Sequence, residues 1–222
     1  MKPPAVAVMA KVPGTALVKS RLHTVLAPDQ ASALYRCFLL DRLDGLATVS
    51  DIERVVAFTP PEESDAIAAL LPAGYRRVPQ EGADLGARLA GLLARLLADG
   101  HAGAIAIDSD SPTLPMAYVA AAAEILRRAA ADVVIGPAED GGYYLIGVIA
   151  PQRRLFEDVA WSTSSVLPTT LMRVKELGLQ VHLLPPWFDV DTADDLTRLR
   201  NEMKADGCGA PRTFAFLRTL YG

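Results

Sequence analysis

Two short segments of the chain each carry a pair of aspartates separated by one residue. Asp108 and Asp110 follow the apolar run 104–107, and Asp189 and Asp191 stand just before a predicted helix. Carboxylates at this spacing after a buried strand can converge on a divalent cation, and hard oxygen ligands suit Mg²⁺ or Mn²⁺. The same residues could instead cap a turn or, with Thr192, a helix start. The helix start does not explain Asp189.

A third segment, residues 11–21, combines a glycine with several cations. Gly14 allows close approach of the backbone to a ligand, and Lys19 and Arg21 supply positive charge, as in phosphate-binding loops. The segment is neither a Rossmann fingerprint nor a Walker A loop, because it lacks both GxGxxG and the second Walker glycine. The alternative is a solvated loop with ordinary surface lysines.

The loop 136–142 lies between two predicted strands and contains Gly141 and Gly142. Adjacent glycines permit positive φ and close contact with a ligand, although Asp-Gly and Gly-Gly also favour a hairpin turn. Asp140 and Tyr143 add polar groups that a turn does not require. The loop is therefore a candidate for substrate binding, with a simple hairpin as the alternative.

The segment 80–88 ends a strand and opens a helix. Free backbone N–H groups at a helix start favour an anion, and Gly82, Gly86 and Arg88 could border one. An ordinary helix start is the alternative.

Strands and helices alternate along the chain, which predicts an α/β fold with a mainly parallel sheet covered on both faces. Ligands of such sheets bind outside the carboxyl ends of the strands. The candidate segments lie next to predicted strands, so we expect them to meet at one edge of the sheet. The predicted strands cover residues 5–9, 54–58, 75–78, 104–107, 132–135, 143–148 and 179–184.

Composition excludes several classes of protein. The 222 residues carry 22 basic and 26 acidic side chains, 51% are hydrophobic and the net charge is −4. These values argue against a disordered chain and against a broad basic surface for nucleic acid. Mean hydropathy is +0.23, yet the apolar runs fall short of the roughly 20 residues that span a bilayer. We expect one domain over residues 1–222, without a membrane segment.

The two cysteines, Cys37 and Cys208, have no CxxC partner. This usage predicts reduced thiols in a cytoplasmic protein. Alanine-rich helix faces could support a homodimer or could pack inside the fold.

Taken in order, the motifs resemble the cofC-like transferases called selenodomain-associated transferase 1. These are related to 2-phospholactate guanylyltransferase and lie in the GT-A, nucleotide-diphospho-sugar transferase superfamily. The resemblance runs from about residue 5 to residue 199. The motifs that carry it are P-x-x-x-x-x-K-S-R-L, Q-x-G-x-x-L-G-x-R, S-D-S-P, G-P-A-E-D-G-G-Y-Y-L-I-G and D-V-D-T.

The resemblance implies a GT-A or Rossmann-like α/β/α sandwich and assigns roles by position. Lys19 and Arg21 would contact the nucleotide phosphates, while Asp110 and Asp191 would be the two metal-side aspartates. Residues 140–143 would border the acceptor. Asp108 stands where such proteins commonly have glycine, so Asp110 is the expected ligand.

These features together predict a Mg²⁺- or Mn²⁺-dependent transferase with a nucleotide-activated donor. Nucleotidyl transfer from a triphosphate to a small phosphorylated or hydroxyl acceptor, with release of pyrophosphate, is the leading hypothesis. Lys19, Arg21 and Asp110 would be its catalytic residues. A glycosyltransferase that uses a nucleotide sugar and a non-catalytic nucleotide-binding module are the alternatives. The predicted substrate-binding residues are Gly14, Gly82, Gly86, Arg88, Asp140, Gly141, Gly142 and Tyr143.

Overall fold

The computed structural model describes residues 1–15, 18–203 and 209–221. Strands and helices alternate in these residues as the sequence predicts. The strands are β1 Ala5–Lys11, β2 Glu53–Thr59, β3 Arg76–Pro79, β4 Ala104–Ile107, β5 Val133–Pro137, β6 Tyr143–Val148 and β7 Val181–Leu183. The helices are α1 Pro28–Ala47, α2 Ser64–Ala68, α3 Leu85–Ala98, α4 Met116–Arg127, α5 Val166–Glu176, α6 Ala193–Glu202 and α7 Pro211–Tyr221.

The strands form one mixed sheet in the order β3-β2-β1-β4-β6-β5-β7. Strand β6 runs antiparallel to both of its neighbours, β4 and β5, while the other pairs are parallel. The carboxyl ends of six strands and the amino end of β6 consequently lie at the same edge. The mainly parallel α/β sheet predicted from the sequence is confirmed.

Successive side chains of β1 point to opposite faces of the sheet, because the side-chain period of a strand is two. Val6 and Val8 belong to one apolar cluster, to which α1 and α4 contribute, and Ala5 and Ala7 belong to a second, to which α3 and α5 contribute. The result is three layers, with helices on both faces of a buried sheet.

A third apolar cluster lies beside one end of the sheet and supports the loop that follows β1. Leu22 from the 3₁₀ turn Ser20–Thr24 is fully buried there. It packs with Phe38 of α1, Leu196 of α6 and Leu217 of α7. The cluster anchors the chain directly after Lys19.

Two further expectations concern membrane segments and the cysteines. No helix among the described residues is long and apolar enough to cross a membrane. Cys37 on α1 is a free thiol, and Cys208 lies outside the described residues.

Candidate functional site

The side chain of Lys19 joins the two predicted metal-side aspartates. Its Nζ lies 2.6 Å from Oδ1 of Asp110 and 2.8 Å from Oδ1 of Asp191. The lysine side chain is only 3% exposed, whereas each carboxylate is 38% exposed. Residues from three distant parts of the chain therefore form one ion cluster at the predicted edge of the sheet.

Local backbone structure fixes both carboxylates. The N–H of Val190 donates to the carbonyl oxygen of Asp110 at 3.0 Å, which ties the two aspartate segments together. Thr192 caps α6 in a capping box with Asp195, and Oδ2 of Asp195 also accepts from the N–H of Asp191 at 3.2 Å. Thr192 is thus the helix cap, and the adjacent Asp191 is the candidate ligand. The sequence had left both roles open for this segment.

The ion cluster shifts the pKa of its members. Burial alone would lower the pKa of Lys19, but Asp110 and Asp191 outweigh it and raise the pKa above the ordinary value. Burial alone would raise the pKa of Asp191, and Lys19 and then Arg21 lower it overall. Arg21 is 63% exposed, with Nη1 3.7 Å from Oδ2 of Asp191. The pKa shifts of Lys19 and Asp191 therefore both favour the charged forms at neutral pH.

Asp108 makes a different set of contacts from Asp110. Its Oδ1 lies 3.4 Å from Nη2 of Arg42, and its Oδ2 accepts from the hydroxyl of Ser111 at 2.6 Å. Nη2 of Arg42 also donates to the carbonyl oxygen of Ser111. The arginine side chain is 0% exposed, and its Nε and Nη1 are buried without a hydrogen-bond partner among the described residues. Burial raises the pKa of Asp108 to about 6. Asp108 thus binds a buried arginine and orders the loop that carries Asp110.

Asp189 is half-buried on the loop before α6. Burial first, and then the charges of Asp140, Asp191 and Asp108, raise its pKa to about 7. Its carboxyl group is therefore surrounded by like charges, unlike that of Asp191, which faces Lys19. Asp189 does not line the cleft described next.

An open cleft of about 600 Å³ lies over the carboxyl edge of the sheet beside the Lys19 cluster. Of the predicted site residues, six line it: Lys19, Arg21, Arg88, Asp110, Tyr143 and Asp191. Tyr143 reaches this edge because it begins the antiparallel strand β6. Four cations, of Lys11, Lys19, Arg21 and Arg88, share the cleft walls with three carboxylates, of Asp108, Asp110 and Asp191, a pattern that suits a multiply charged anion bound together with a cation.

The predicted glycines do not line the cleft. Gly14, at φ +87, lies in a turn, and no atom of the described residues beyond its chain neighbours comes within 4 Å of where a Cβ would be. Gly82 has φ +142, and a Cβ there would come within 2.8 Å of the backbone nitrogen of Arg88. A Cβ on Gly86 would lie 2.5 Å from the carbonyl oxygen of Phe156. These last two glycines allow α3 to start and to pack closely.

The loop between β5 and β6 is a hairpin connection. Asp140 accepts from the N–H of Gly142 at 2.8 Å. Gly141 has φ +92, and a Cβ there would lie 2.5 Å from the carbonyl oxygen of Ser164. The contacts of these three residues in the structure are those of a turn. Their assignment to substrate binding stays a prediction, because only Tyr143 of this group lines the cleft.

The donor set of the cluster is compatible with a hard divalent cation. Among the described residues, no group of three or more His, Cys, Asp or Glu side chains is arranged to hold a metal. The Asp110 and Asp191 oxygens nevertheless converge on one point that already holds a positive charge, the Nζ of Lys19. Two carboxylates completed by phosphate oxygens are a common way to bind Mg²⁺. The carboxylates of Asp110 and Asp191 therefore fit a divalent metal ion once Lys19 has moved.

Several residues of the cleft did not stand out in the sequence. Tyr35 is buried, accepts at its hydroxyl from the N–H of Lys11 at 2.9 Å and lies 3.0 Å from the hydroxyl of Ser109. Gln80 donates from Nε2 to the carbonyl oxygens of Ala10 and Ala57, at the ends of β1 and β2. Gln80 opens the Q-x-G-x-x-L-G-x-R motif, whereas Tyr35 lies in none of the motifs. The contacts of both residues depend on the packed fold.

Comparisons with known proteins agree with this architecture. The model of a family described as "Uncharacterized protein conserved in bacteria (DUF2064)" matches residues 42–163. A candidate nucleotide-diphospho-sugar transferase from Desulfovibrio desulfuricans G20 is 32% identical and superposes with a TM-score of 0.91, over 99% of this chain and 95% of that chain. No curated protein matches the sequence.

More distant structures share the fold. A CMP:2-keto-3-deoxy-manno-octonic acid synthetase complexed with CTP gives a TM-score of 0.58 at 14% identity, over 91% of this chain and 98% of that chain. A 4-diphosphocytidyl-2C-methyl-D-erythritol synthase from Anaerococcus prevotii DSM 20548 gives a TM-score of 0.57 at 11% identity, over 98% of this chain and 96% of that chain. The relative from Desulfovibrio desulfuricans is described as a transferase and the two distant structures as a synthetase and a synthase, and the GT-A-like fold expected from the motifs is confirmed.

Proposed function

The chain belongs to the bacterial family DUF2064, and on that premise we propose that it is a metal-dependent transferase that uses a nucleotide-activated donor. The observation that carries the proposal is the cluster of Lys19, Asp110 and Asp191 at the wall of an open cleft. The cleft lies where ligands bind in sheets of this kind, at the carboxyl ends of the strands.

Nucleotidyl transfer is the reaction that the charges of the cleft favour. Lys11, Lys19, Arg21 and Arg88 line it beside the carboxylates of Asp108, Asp110 and Asp191, so the cations could bind phosphates while a metal ion takes carboxylates. A triphosphate would use this charge along its β- and γ-phosphates. The donor is therefore proposed to be a nucleoside triphosphate and the acceptor a small molecule with a phosphate or hydroxyl group.

In this reaction an acceptor oxygen attacks the α-phosphorus, a new O–P bond forms, and the bond to the β-phosphate oxygen breaks to release pyrophosphate. The cations of the cleft hold and orient the phosphates, so that attacking and leaving oxygens stand in line. Asp110 and Asp191 would hold Mg²⁺ or Mn²⁺. When bound, such an ion neutralises phosphate charge and polarises the reacting phosphoryl group.

The mechanism requires little covalent chemistry from the protein. Positioning and charge neutralisation lower the barrier, since the charge that develops in transfer is spread over phosphate oxygens. Tyr143 and Ser162, which also line the cleft, would face the acceptor rather than the triphosphate. Four further expectations belong to the same proposal. The chain is proposed to be related to selenodomain-associated transferase 1 and to act in the cytoplasm. It is also proposed to have no nucleic-acid partner and to form a homodimer.

Transfer of a sugar from a nucleotide sugar is the second candidate. The relative from Desulfovibrio desulfuricans, described in those terms, favours it. The products distinguish the two reactions, because nucleotidyl transfer releases pyrophosphate whereas glycosyl transfer releases a nucleoside mono- or diphosphate.

The test incubates the full chain with Mg²⁺, each labelled triphosphate or nucleotide sugar in turn, and a panel of phosphorylated and hydroxyl acceptors. We expect pyrophosphate with one triphosphate, and no release by Asp110→Ala at unchanged fold. Release of a nucleoside diphosphate from a nucleotide sugar would favour the second candidate. Nucleotide binding without product across the whole panel would indicate a non-catalytic binding module.

A further inference from the structure

The ammonium group of Lys19 occupies the point at which the two candidate metal ligands converge. Its Nζ is within 2.8 Å of one oxygen from each of Asp110 and Asp191. A small divalent cation bound by both of these oxygens would need the same space. Lys19 and the metal therefore cannot use this pair of oxygens at the same time.

Lys19 is also held by the fold. Its side chain is 3% exposed, its Nζ lies 5.7 Å from the centre of the Phe38 ring, and its backbone is in the left-handed region at φ 51. Water can reach little of this side chain. A buried ammonium without a counterion is costly, so Lys19 leaves the carboxylates only when another anion accepts it.

A metal ion that arrives alone offers no such anion. It would displace Lys19 and leave two cationic groups close together in a poorly solvated site. A polyphosphate in the cleft supplies the missing partner, because its oxygens can accept the ammonium while the freed carboxylates bind the metal. Metal and polyphosphate then favour each other's binding through one lysine.

We propose that Lys19 is a built-in counterion that keeps divalent metal off the Asp110–Asp191 pair until a polyphosphate in the cleft offers its ammonium group another partner. The inference rests on the proposed function for the identity of the polyphosphate. It adds an order of events: the donor phosphates draw Lys19 away, and the metal site forms as they bind.

The inference makes an unusual prediction, that loss of a cationic residue strengthens binding of Mn²⁺. Free Mn²⁺ is measured by electron paramagnetic resonance in titrations of the full chain, with no nucleotide present. We expect Lys19→Gln to bind one Mn²⁺ per chain about tenfold more tightly than the wild type, a coupling in the usual range for linked sites. Lys19→Met, a second neutral replacement, should behave alike.

Three controls separate this effect from a general change in charge. Lys19→Arg keeps a cation in place and should bind Mn²⁺ as weakly as the wild type. Arg21→Gln removes a cation that lies farther from Asp191, and its affinity should change by less than about threefold. Adding Asp110→Asn to Lys19→Gln should abolish the gain, which places the bound ion at this pair. Thermal denaturation confirms that each variant is folded.

Unchanged or weaker Mn²⁺ binding by both folded neutral variants would overturn the inference. So would an equal gain in Arg21→Gln, because the effect would then not belong to Lys19. The titration uses neither nucleotide nor turnover. If the neutral variants gain no Mn²⁺ affinity while the wild type still releases pyrophosphate, the inference falls and the proposed function stands. If they gain affinity while no product forms with any donor, the proposed function falls and the inference stands.

Discussion

Two buried cations at the same edge of the sheet hold neighbouring aspartates, and they do so in different surroundings. Arg42 is 0% exposed and holds Asp108, which is 20% exposed, whereas Lys19 is 3% exposed and holds Asp110 and Asp191, which are each 38% exposed. Asp108 also lines the cleft, but it has a further partner in Ser111, and its arginine does not line the cleft and so does not meet a competing anion there. The first pair orders the loop, and the second is open to exchange with a ligand.

The contrast shows that the two aspartates of one motif have different roles. Asp108 and Asp110 are two residues apart, yet Asp108 contacts the helix below and Asp110 contacts a loop residue from the far end of β1. The function of a charged pair is better inferred from whether a ligand can replace one partner than from the residue types alone.

The largest expected effect separates the two aspartates of the motif. Asp110→Asn should lower kcat/KM for pyrophosphate release at least about a hundredfold, because the carboxylate is proposed to hold the charge-neutralising metal. Asp108→Asn should retain activity within about tenfold, since its amide can still bond to Ser111. Steady-state assays of both variants measure this. Equal losses would show that the two aspartates are not divided in this way.

The second prediction concerns stability, for which the Arg42–Asp108 pair should matter more than the Lys19 cluster. Arg42→Met should lower the free energy of unfolding by about 3 kcal/mol, because it removes a fully buried cation and leaves the largely buried Asp108 without its partner. Lys19→Met should cost about 1 kcal/mol or less, since its partner carboxylates remain partly solvated. Urea denaturation at neutral pH compares them. A larger loss for Lys19→Met would contradict the structural role assigned to Arg42.

The double variant Arg42→Met with Asp108→Asn sharpens the comparison. Removing both charges should recover about 1–2 kcal/mol relative to Arg42→Met alone, because no unpaired charge stays buried. The measurement is a double-mutant cycle from the same denaturation curves. Strict additivity would mean that Arg42 and Asp108 do not stabilise each other.

The smallest effect is expected at the helix cap beside Asp191. Thr192→Ala removes the side-chain acceptor of a capping box and should cost about 1 kcal/mol of unfolding free energy. Thr192→Ser keeps the hydroxyl and is the matched control. If the alanine variant unfolds at the same urea concentration as the serine variant, the cap does not stabilise α6.

Much of the fold could be predicted because alternating apolar strands and amphipathic helices leave few arrangements. The approach of Asp110 to Asp191 also followed from the rule that carboxyl ends of parallel strands share an edge. The alanine-rich sequence that forms α4 continues to residue 131, yet the helix ends at Arg127, with Ala129 at φ 51. Sequence periodicity does not indicate such a change of backbone conformation.

The contacts inside the site could not be predicted. Arg42 lies in the middle of a long helix, and a charged residue there gives no sequence signal of burial. The position of Lys19 depends on a left-handed residue and on the apolar cluster around Leu22, both of which are properties of the packed chain. Gly141 could equally have served a ligand or a turn, and only its distance from Ser164 shows the close packing.

The most direct test is a crystal of this protein soaked with MnCl₂ and the triphosphate that gives pyrophosphate, examined by anomalous diffraction at the manganese edge. A peak between the carboxylates of Asp110 and Asp191, with the Lys19 ammonium moved onto phosphate oxygens, is the expected result. A manganese peak elsewhere in the cleft, with Lys19 still bound to both carboxylates, would contradict the assignment of this cluster as the metal–nucleotide site.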